Sequence, residues 1–271
     1  MKNYIITFSL LILGTVVFQS CGKDLGGEAP DIISIEDYIA QNNISPEYTA
    51  SGVGYVINTA GNTRRANGFS TVKADVKVKT TDNTLRIDTQ GESLFNLFGQ
   101  VPGFKEGLQL VGEGGSITLY APFENAWGAD GNISVPGAAD VIIDISMSDI
   151  LIDIETYIEE NNIMLSDTTD AGVFVLIEEE GDGTFPDIGN SVTVKYSGYY
   201  SNGDVFDSSD TGIQIGLSQV IQGWQEGIQL FSKGGKGKLF IPFESGYGTN
   251  GSRDIPGYTD LIFDIELVDF E

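Results

Sequence analysis

The side chains with most chemical potential lie in one span, VFDSSDTGIQIGLSQVIQGWQEGIQL from Val205. It holds Asp207, an exposed-looking Trp224 and a Gly-punctuated apolar run, but no His, no Cys and no paired catalytic carboxylates. The 271-residue chain contains no His at all, which removes the usual general base, the usual metal ligand and every His-based triad. No metal and no cofactor are expected. What chemistry a site built from an Asp, a Trp and apolar residues can perform depends on the elements around it.

Composition narrows the partners. There are 39 acids against 14 bases, a net charge of -25, which excludes polyanions such as nucleic acid. Hydrophobic residues make up 41% of the chain and aromatics 10%, enough for ordinary globular cores.

The N-terminal stretch MKNYIITFSLLILGTVVFQSC has one Lys, an apolar run from Tyr4 to Phe18, small Ser20, and then Cys21. A helix of about 15 residues spans about 22 Å, too short for a bilayer core that needs roughly 20 residues. Residues 1–20 therefore read as a cleaved signal peptide. Cys21 is the sole cysteine, so no internal disulfide can form, and its position resembles a bacterial lipoprotein box in which the thiol is lipidated. Residues 21–30, with GKDLGGEAP, read as a Gly-rich tether. The expected location is the periplasmic or cell-surface side of a bacterial membrane, with the outer membrane favoured, and attachment through the lipid.

Behind the tether the chain repeats itself. IEDYIAQNNI from Ile35 returns as IETYIEENNI from Ile154, and VPGFKEGLQL from Val101 returns as IQGWQEGIQL from Ile221. APFENAWGADG from Ala121 returns as IPFESGYGTNG from Ile241, and VIIDI from Val141 returns as LIFDI from Leu261. Four matches in one order at one spacing predict a tandem duplication, with units at 31–149 and 150–271.

Each unit opens on a short amphipathic helix, with Ile35, Tyr38 and Ile39 or Ile154, Tyr157 and Ile158 at helical spacing and an Asn pair as stop. VFVLIEEE, VTVKYSGYY and LIFDIELVDF read as strands, the last with Phe263, Ile265 and Leu267 on one face. QVIQGWQEGIQLF reads as one short helix after an apolar bend at Val220–Ile221. The expected class is α+β, an antiparallel sheet curled over a central helix in each unit. The join from Met147 to Ile154 lacks Gly and Pro and is read as a rigid contact through a shared helix.

VTVKYSGYYSNGDVFDSS, VIQGWQEGIQL, GGKGKLFIPFESGYG and IPGYTDLIFDIEL together resemble the FKBP-type peptidyl-prolyl cis-trans isomerases, over nearly all of residues 172–270. The resemblance implies two tandem FKBP-like domains, each a half-wrapped antiparallel sheet over a short helix, with an added N-terminal helix per unit. It implies Trp224 as pocket floor and Tyr196, Phe206, Val220, Ile221 and Phe263 as walls. Asp207 and Tyr247 would supply polar contacts, the Ile221 N–H would meet a substrate carbonyl, and Ile255 would close the loop side. Proline-containing polypeptides are the implied clients and a macrolide the implied small-molecule ligand. Two departures stand out: Ile213 and Ile215 occupy a region where a ring is common, and Gly257 stands where a second Pro or a small residue is common. The first is expected to loosen one wall, bearing on macrolide affinity more than on activity. A looser resemblance extends to isomerase lipoproteins associated with gliding motility.

The first unit keeps the frame and loses the site. Thr80 is read opposite Tyr196, Ile87–Asp88 opposite Phe206–Asp207, Phe104 opposite Trp224, Trp127 opposite Tyr247 and Ile143 opposite Phe263. It is expected to be catalytically silent and to serve as spacer, chaperone-like binding surface or partner dock. The expected function is a lipid-tethered prolyl isomerase assisting the folding of exported proteins. The alternative is a non-catalytic FKBP-like binding or scaffold lipoprotein in a cell-surface complex, because fold and function are separable.

Overall fold

The computed structural model describes residues 32–253 and 255–271. The expected signal, the tether and Cys21 lie outside the described residues. Helix α1 (Ile35–Gln41) precedes strands β1 (Glu47–Tyr48), β2 (Gly54–Thr59), β3 (Thr71–Thr80), β4 (Leu85–Asp88) and β5 (Ser93–Asn96). Helix α2 (Pro102–Leu110) and strands β6 (Ser116–Ala121) and β7 (Val141–Leu151) complete the first half. The second half repeats the order with α3 (Ile154–Glu160), β8 (Asp167–Thr168), β9 (Phe174–Glu179), β10 (Ser191–Tyr199) and β11 (Val205–Gly216). Helix α4 (Gln222–Ile228) and strands β12 (Lys236–Ile241) and β13 (Leu261–Phe270) end the chain.

Two antiparallel sheets result. The first runs β1-β2-β6-β7-β3-β4 with β5 also on β3, and the second β11-β10-β13-β12-β9-β8. Alternation along the strands decides what each face meets. Leu239 and Ile241 of β12 turn into the core with Trp224 and Ile228 of α4, whereas Phe240 between them packs with Ile154 and Ile262 under α3. The first half does the same, with Leu119 and Ala121 toward α2 and Tyr120 toward Ile35 and Ile39 of α1. The central helices lie very close to their sheets. A Cβ on Gly223 or Gly227 would sit 2.5 Å from Ile241 or Leu239, so only a bare backbone fits there.

The short helices stop where the Asn pairs predict. Asn42 and Asn161 are C-caps, and Asn43 and Asn162 follow at φ 54 and 53, a left-handed conformation Asn tolerates. One acid per half ties the outer helix to the turn after the sheet's central strand. Asp140 accepts the Ile35 and Phe123 N–H groups at 2.7 and 2.8 Å, and Asp260 accepts those of Ile154 and Phe243 at 2.9 and 2.8 Å.

The join differs from the expectation of a shared helix. β7 continues as strand to Leu151, past the expected border at 149/150, and Asp153 caps α3 by accepting the Thr156 N–H. Leu151 already belongs to the second half's core. The strand persists because β7 is paired with β3 along its whole length, so ladder bonds override the helical reading of a short apolar stretch.

Two outcomes follow from this frame. Burial, aided by the charges of Glu155 and Asp153, pushes the Asp260 carboxyl up to about 6 despite its two backbone donors. The fold thus favours the protonated form, and stability from this group, about 3 kcal/mol, is lost as pH rises from about 4 to about 6. NMR titration should find the Asp260 midpoint near pH 6, and a midpoint below 4 would contradict this. On β10, a Cβ at Gly198 would meet the rings of Phe206 and Phe263 at 2.7 Å. Gly198→Ala should cost about 1–3 kcal/mol in urea unfolding, because both rings must yield in a packed wall.

Candidate active site

The second half carries a cavity of about 520 Å³ in the crevice between β10, β11, β13 and α4. Its lining includes all nine residues expected there: Tyr196, Phe206, Asp207, Val220, Ile221, Trp224, Tyr247, Ile255 and Phe263. Local chemistry explains how they converge. Tyr196 and Gly198 lie on the same face of β10, and register shifts on either side re-aim them. Asp207 pairs with Gly198 across the edge strand β11, and Phe263 pairs with Gly198 from β13. The glycine leaves space on its face, which the two rings occupy.

Trp224 sits in the first turn of α4, is 5% exposed, and forms the floor. Tyr196 stands edge-on to it at 5.0 Å and 84°, and Phe263 edge-on at 5.2 Å and 83°. Phe206 meets Phe263 edge-on at 5.5 Å and 87°, and Tyr200 backs Phe206 at 5.0 Å. Edge-to-face contacts set positive ring edges against negative faces, which holds the walls upright. Val220 and Ile221 form the bend before α4, where the Gln225 side-chain amide donates to the Val220 carbonyl at 2.8 Å. The Trp224 indole N–H finds no hydrogen-bond partner among the described residues.

The polar groups are few. The Tyr196 hydroxyl donates to Asp207 Oδ2 at 2.7 Å, and Asp207 Oδ1 accepts the Ser208 N–H at 3.0 Å. Burial first, and then the hydrogen bond to Asp207, pushes the Tyr196 phenol up to about 12. Burial and the Asp207 charge also raise the Tyr247 phenol, with Arg253 opposing. Both phenols therefore keep their protons at neutral pH and act as hydrogen-bond donors rather than bases. Among the described residues no group of three or more Cys, Asp or Glu is placed to hold a metal ion. The arrangement can grip an apolar ring, position one or two carbonyls and exclude water.

Five further residues line the cavity: Ile213, Ile215, Gln219, Ser252 and Arg253. The two isoleucines were marked in the sequence only as a missing ring. Ser252 and Arg253 reach the rim because Ser252 and Ile255 exchange backbone hydrogen bonds at 2.9 and 2.8 Å, folding the loop back. A lone cation in an acidic chain was the signal available for Arg253.

Strand register corrects two pairings read for the first half. Val76 faces Ile145 as Tyr196 faces Ile265, so Val76, not Thr80, is the counterpart of Tyr196. Ile87 pairs with Val78 as Asp207 pairs with Gly198, so Ile87 replaces Asp207 and Arg86 replaces Phe206. β3 carries register shifts at places that match those on β10, and Val76 and Ile87 stand at the same spacing from Tyr196 and Asp207 as the other motifs do from their repeats, so matching by motif end rather than by that spacing produced the slip. Phe104 and Ile143 are buried at the places of Trp224 and Phe263, and Phe95 lies 5.4 Å from Phe104. Trp127 and Ile87 pack against the same core. No carboxylate or phenol remains at the counterparts of Asp207 and Tyr196.

Comparison with known proteins agrees with this geometry. A family model described as FKBP-type peptidyl-prolyl cis-trans isomerase matches residues 182–268. The chain is 40% identical over 106 residues to FK506-binding protein 1 of Dictyostelium discoideum, covering 37% of this chain and 99% of that protein. It is 42% identical over 103 residues to an FK506-binding protein of Neisseria meningitidis serogroup B, covering 36% and 94%. It is 44% identical over 107 residues to the isomerase FkpA of Buchnera aphidicola, covering 38% of this chain but only 42% of that protein, so the match spans less than half of that longer relative. A crystal structure of a peptidyl-prolyl cis-trans isomerase from Pseudomonas syringae superposes with a TM-score of 0.40 at 30% identity, covering 44% and 90%. At 40% identity across almost the full length of a relative, with a ring-walled cavity at the matching segment, the chain belongs to the FKBP-type peptidyl-prolyl cis-trans isomerase family.

Proposed function

We propose that the C-terminal half is a working prolyl isomerase that assists the folding of exported proteins, tethered to a membrane through a lipid on Cys21. The observation that carries this reading is the Trp224-floored cavity with the Tyr196–Asp207 pair at its wall. Rotation about a peptide bond is opposed by amide resonance, a barrier of about 18–20 kcal/mol. Twisting removes the resonance, leaving a ketone-like carbonyl and a pyramidal nitrogen. Apolar walls hold the proline ring while offering little solvation to the flat, more dipolar ground state. Each tenfold in rate needs about 1.4 kcal/mol of preference for the twisted form. Asp207 and Tyr247 would orient the carbonyl before the proline, and the Ile221 N–H would meet a neighbouring one. Unassisted isomerisation takes tens to hundreds of seconds, so a folding client benefits. Two relatives bear names that say they bind FK506, and a macrolide of that kind is the small molecule this cavity would take.

The N-terminal half is proposed to be a duplicate that has lost the site, since Ile87 and Val76 stand where Asp207 and Tyr196 would be. That loss favours a second reading, in which the whole chain is a binding or scaffold lipoprotein. Isomerisation of a short Xaa–Pro peptide by the fragment beginning at Ala29 separates the two. Trp224→Ala should lower kcat/KM by more than about tenfold and Asp207→Val by about tenfold. Equal rates in wild type and Asp207→Val would favour the scaffold.

The tether is proposed from sequence alone, from the apolar run ending at Phe18 and the sole cysteine at 21. Cys21→Ser should shift the protein from the membrane to the soluble fraction of cells. Retention of the variant on membranes would refute lipidation there.

A further inference from the structure

The two loops that flank the cavity are both gripped from outside by one strand of the N-terminal half. Thr71 and Lys73 lie two apart on β3, so both point away from the core that Val72 and Ala74 enter. Lys73 Nζ lies 2.5 Å from Asp204 Oδ2 and 3.6 Å from Glu92 on its own side. Asp204 closes the β10–β11 hairpin: its carbonyl accepts the Tyr200 N–H at 3.0 Å and its carboxylate the Asn202 amide at 3.0 Å. Phe206 and Asp207 follow at once, so the hairpin's position sets theirs. The Ile152 N–H holds the same hairpin through Ser201 Oγ at 2.9 Å.

Thr71 reaches the other loop. Asn96 donates to Thr71 Oγ1 at 3.1 Å, and the Thr71 and Thr259 hydroxyls share a buried hydrogen bond at 3.1 Å in which either can be the donor. Phe98 adds a ring contact to Tyr258 at 4.9 Å, and the Tyr258 N–H returns to the Gly248 carbonyl beside Tyr247. Leu94, opposite Lys73 on β5, packs into the second half's core. Thr193 stands at the equivalent place on β10, where β10 pairs Thr193 with Asp269 as β3 pairs Lys73 with Asp149, so the cation is peculiar to the first half.

We propose that the N-terminal half positions the cavity, with Lys73 as the positioning residue for Phe206 and Asp207 and Thr71 for the loop from Tyr247 to Thr259. The first half is then neither an inert spacer nor only a dock. Its effect on catalysis rests on the isomerase reading, but its effect on loop order does not.

Hydrogen–deuterium exchange and Xaa–Pro peptide isomerisation of the full chain test this, for wild type, Lys73→Met and Lys73→Arg. Lys73→Met should speed exchange at amides 205–207 about three- to fivefold, leave β12 and β13 unchanged, and lower kcat/KM by a similar factor. Lys73→Arg should restore both to within about twofold, since a cation again meets Asp204. Unchanged exchange at 205–207 in Lys73→Met overturns the proposal. So does faster exchange with kcat/KM intact, or a loss that Arg fails to rescue. If the wild type proves inactive, the isomerase reading falls while the exchange comparison still decides whether Lys73 orders the loop.

Discussion

The cavity depends on how closely a two-turn helix can approach its sheet. α4 lies against Leu239 and Ile241 at a distance that admits no Cβ on Gly223 or Gly227. With the backbone that near, Trp224 on the first turn has its indole beneath β10 and β13, where Tyr196 and Phe263 meet it edge-on. A side chain at either glycine would force the Ile241 or Leu239 side chain, or the helix that carries Trp224, to shift. The glycines weaken the helix by about 1 kcal/mol each relative to Ala, and the packing they permit offsets that.

The site's polarity is spare for a physical reason. A half-buried phenol that donates to a carboxylate stays neutral over the working pH range, which suits Tyr196. The acid it serves remains at the rim, near water, with its second oxygen occupied by the Ser208 N–H. A chain of net charge -25 spends its few cations on pairing. Lys238 with Asp264, Lys195 with Glu266 and Lys236 with Glu179 stud the second sheet, and Lys73 with Asp204 spans the halves. Such pairs are individually weak, so their value lies in where they hold a loop rather than in total stability.

The halves share a frame and differ in what fills it. The frame was visible because motif spacing is almost constant, Ile35 to Ile154 at 119 and Val101 to Ile221 at 120, with the extra residue entering before β8. The side-chain pairing was less visible. Val76 and Ile87 keep the spacing of the other motifs to Tyr196 and Asp207, and ladder register gives the same assignment, which matters because a one-residue slip exchanges the faces of a strand.

By itself, the sequence determined the class of element at most motifs and the duplicated order, because periodicity and residue type are local properties; the nine residues of the Trp224 cavity came instead from the resemblance of its motifs to the FKBP-type isomerases. It also determined that no His chemistry is available. Only the tertiary structure decided that β7 runs on as strand into the second half, that Arg253 and Gln219 reach the rim, and that Thr71 and Lys73 grip both flanking loops. Those outcomes depend on contacts between residues far apart in the chain, such as Lys73 with Asp204 and Thr71 with Thr259, whose meeting is set by how two sheets pack. No local pattern encodes that distance.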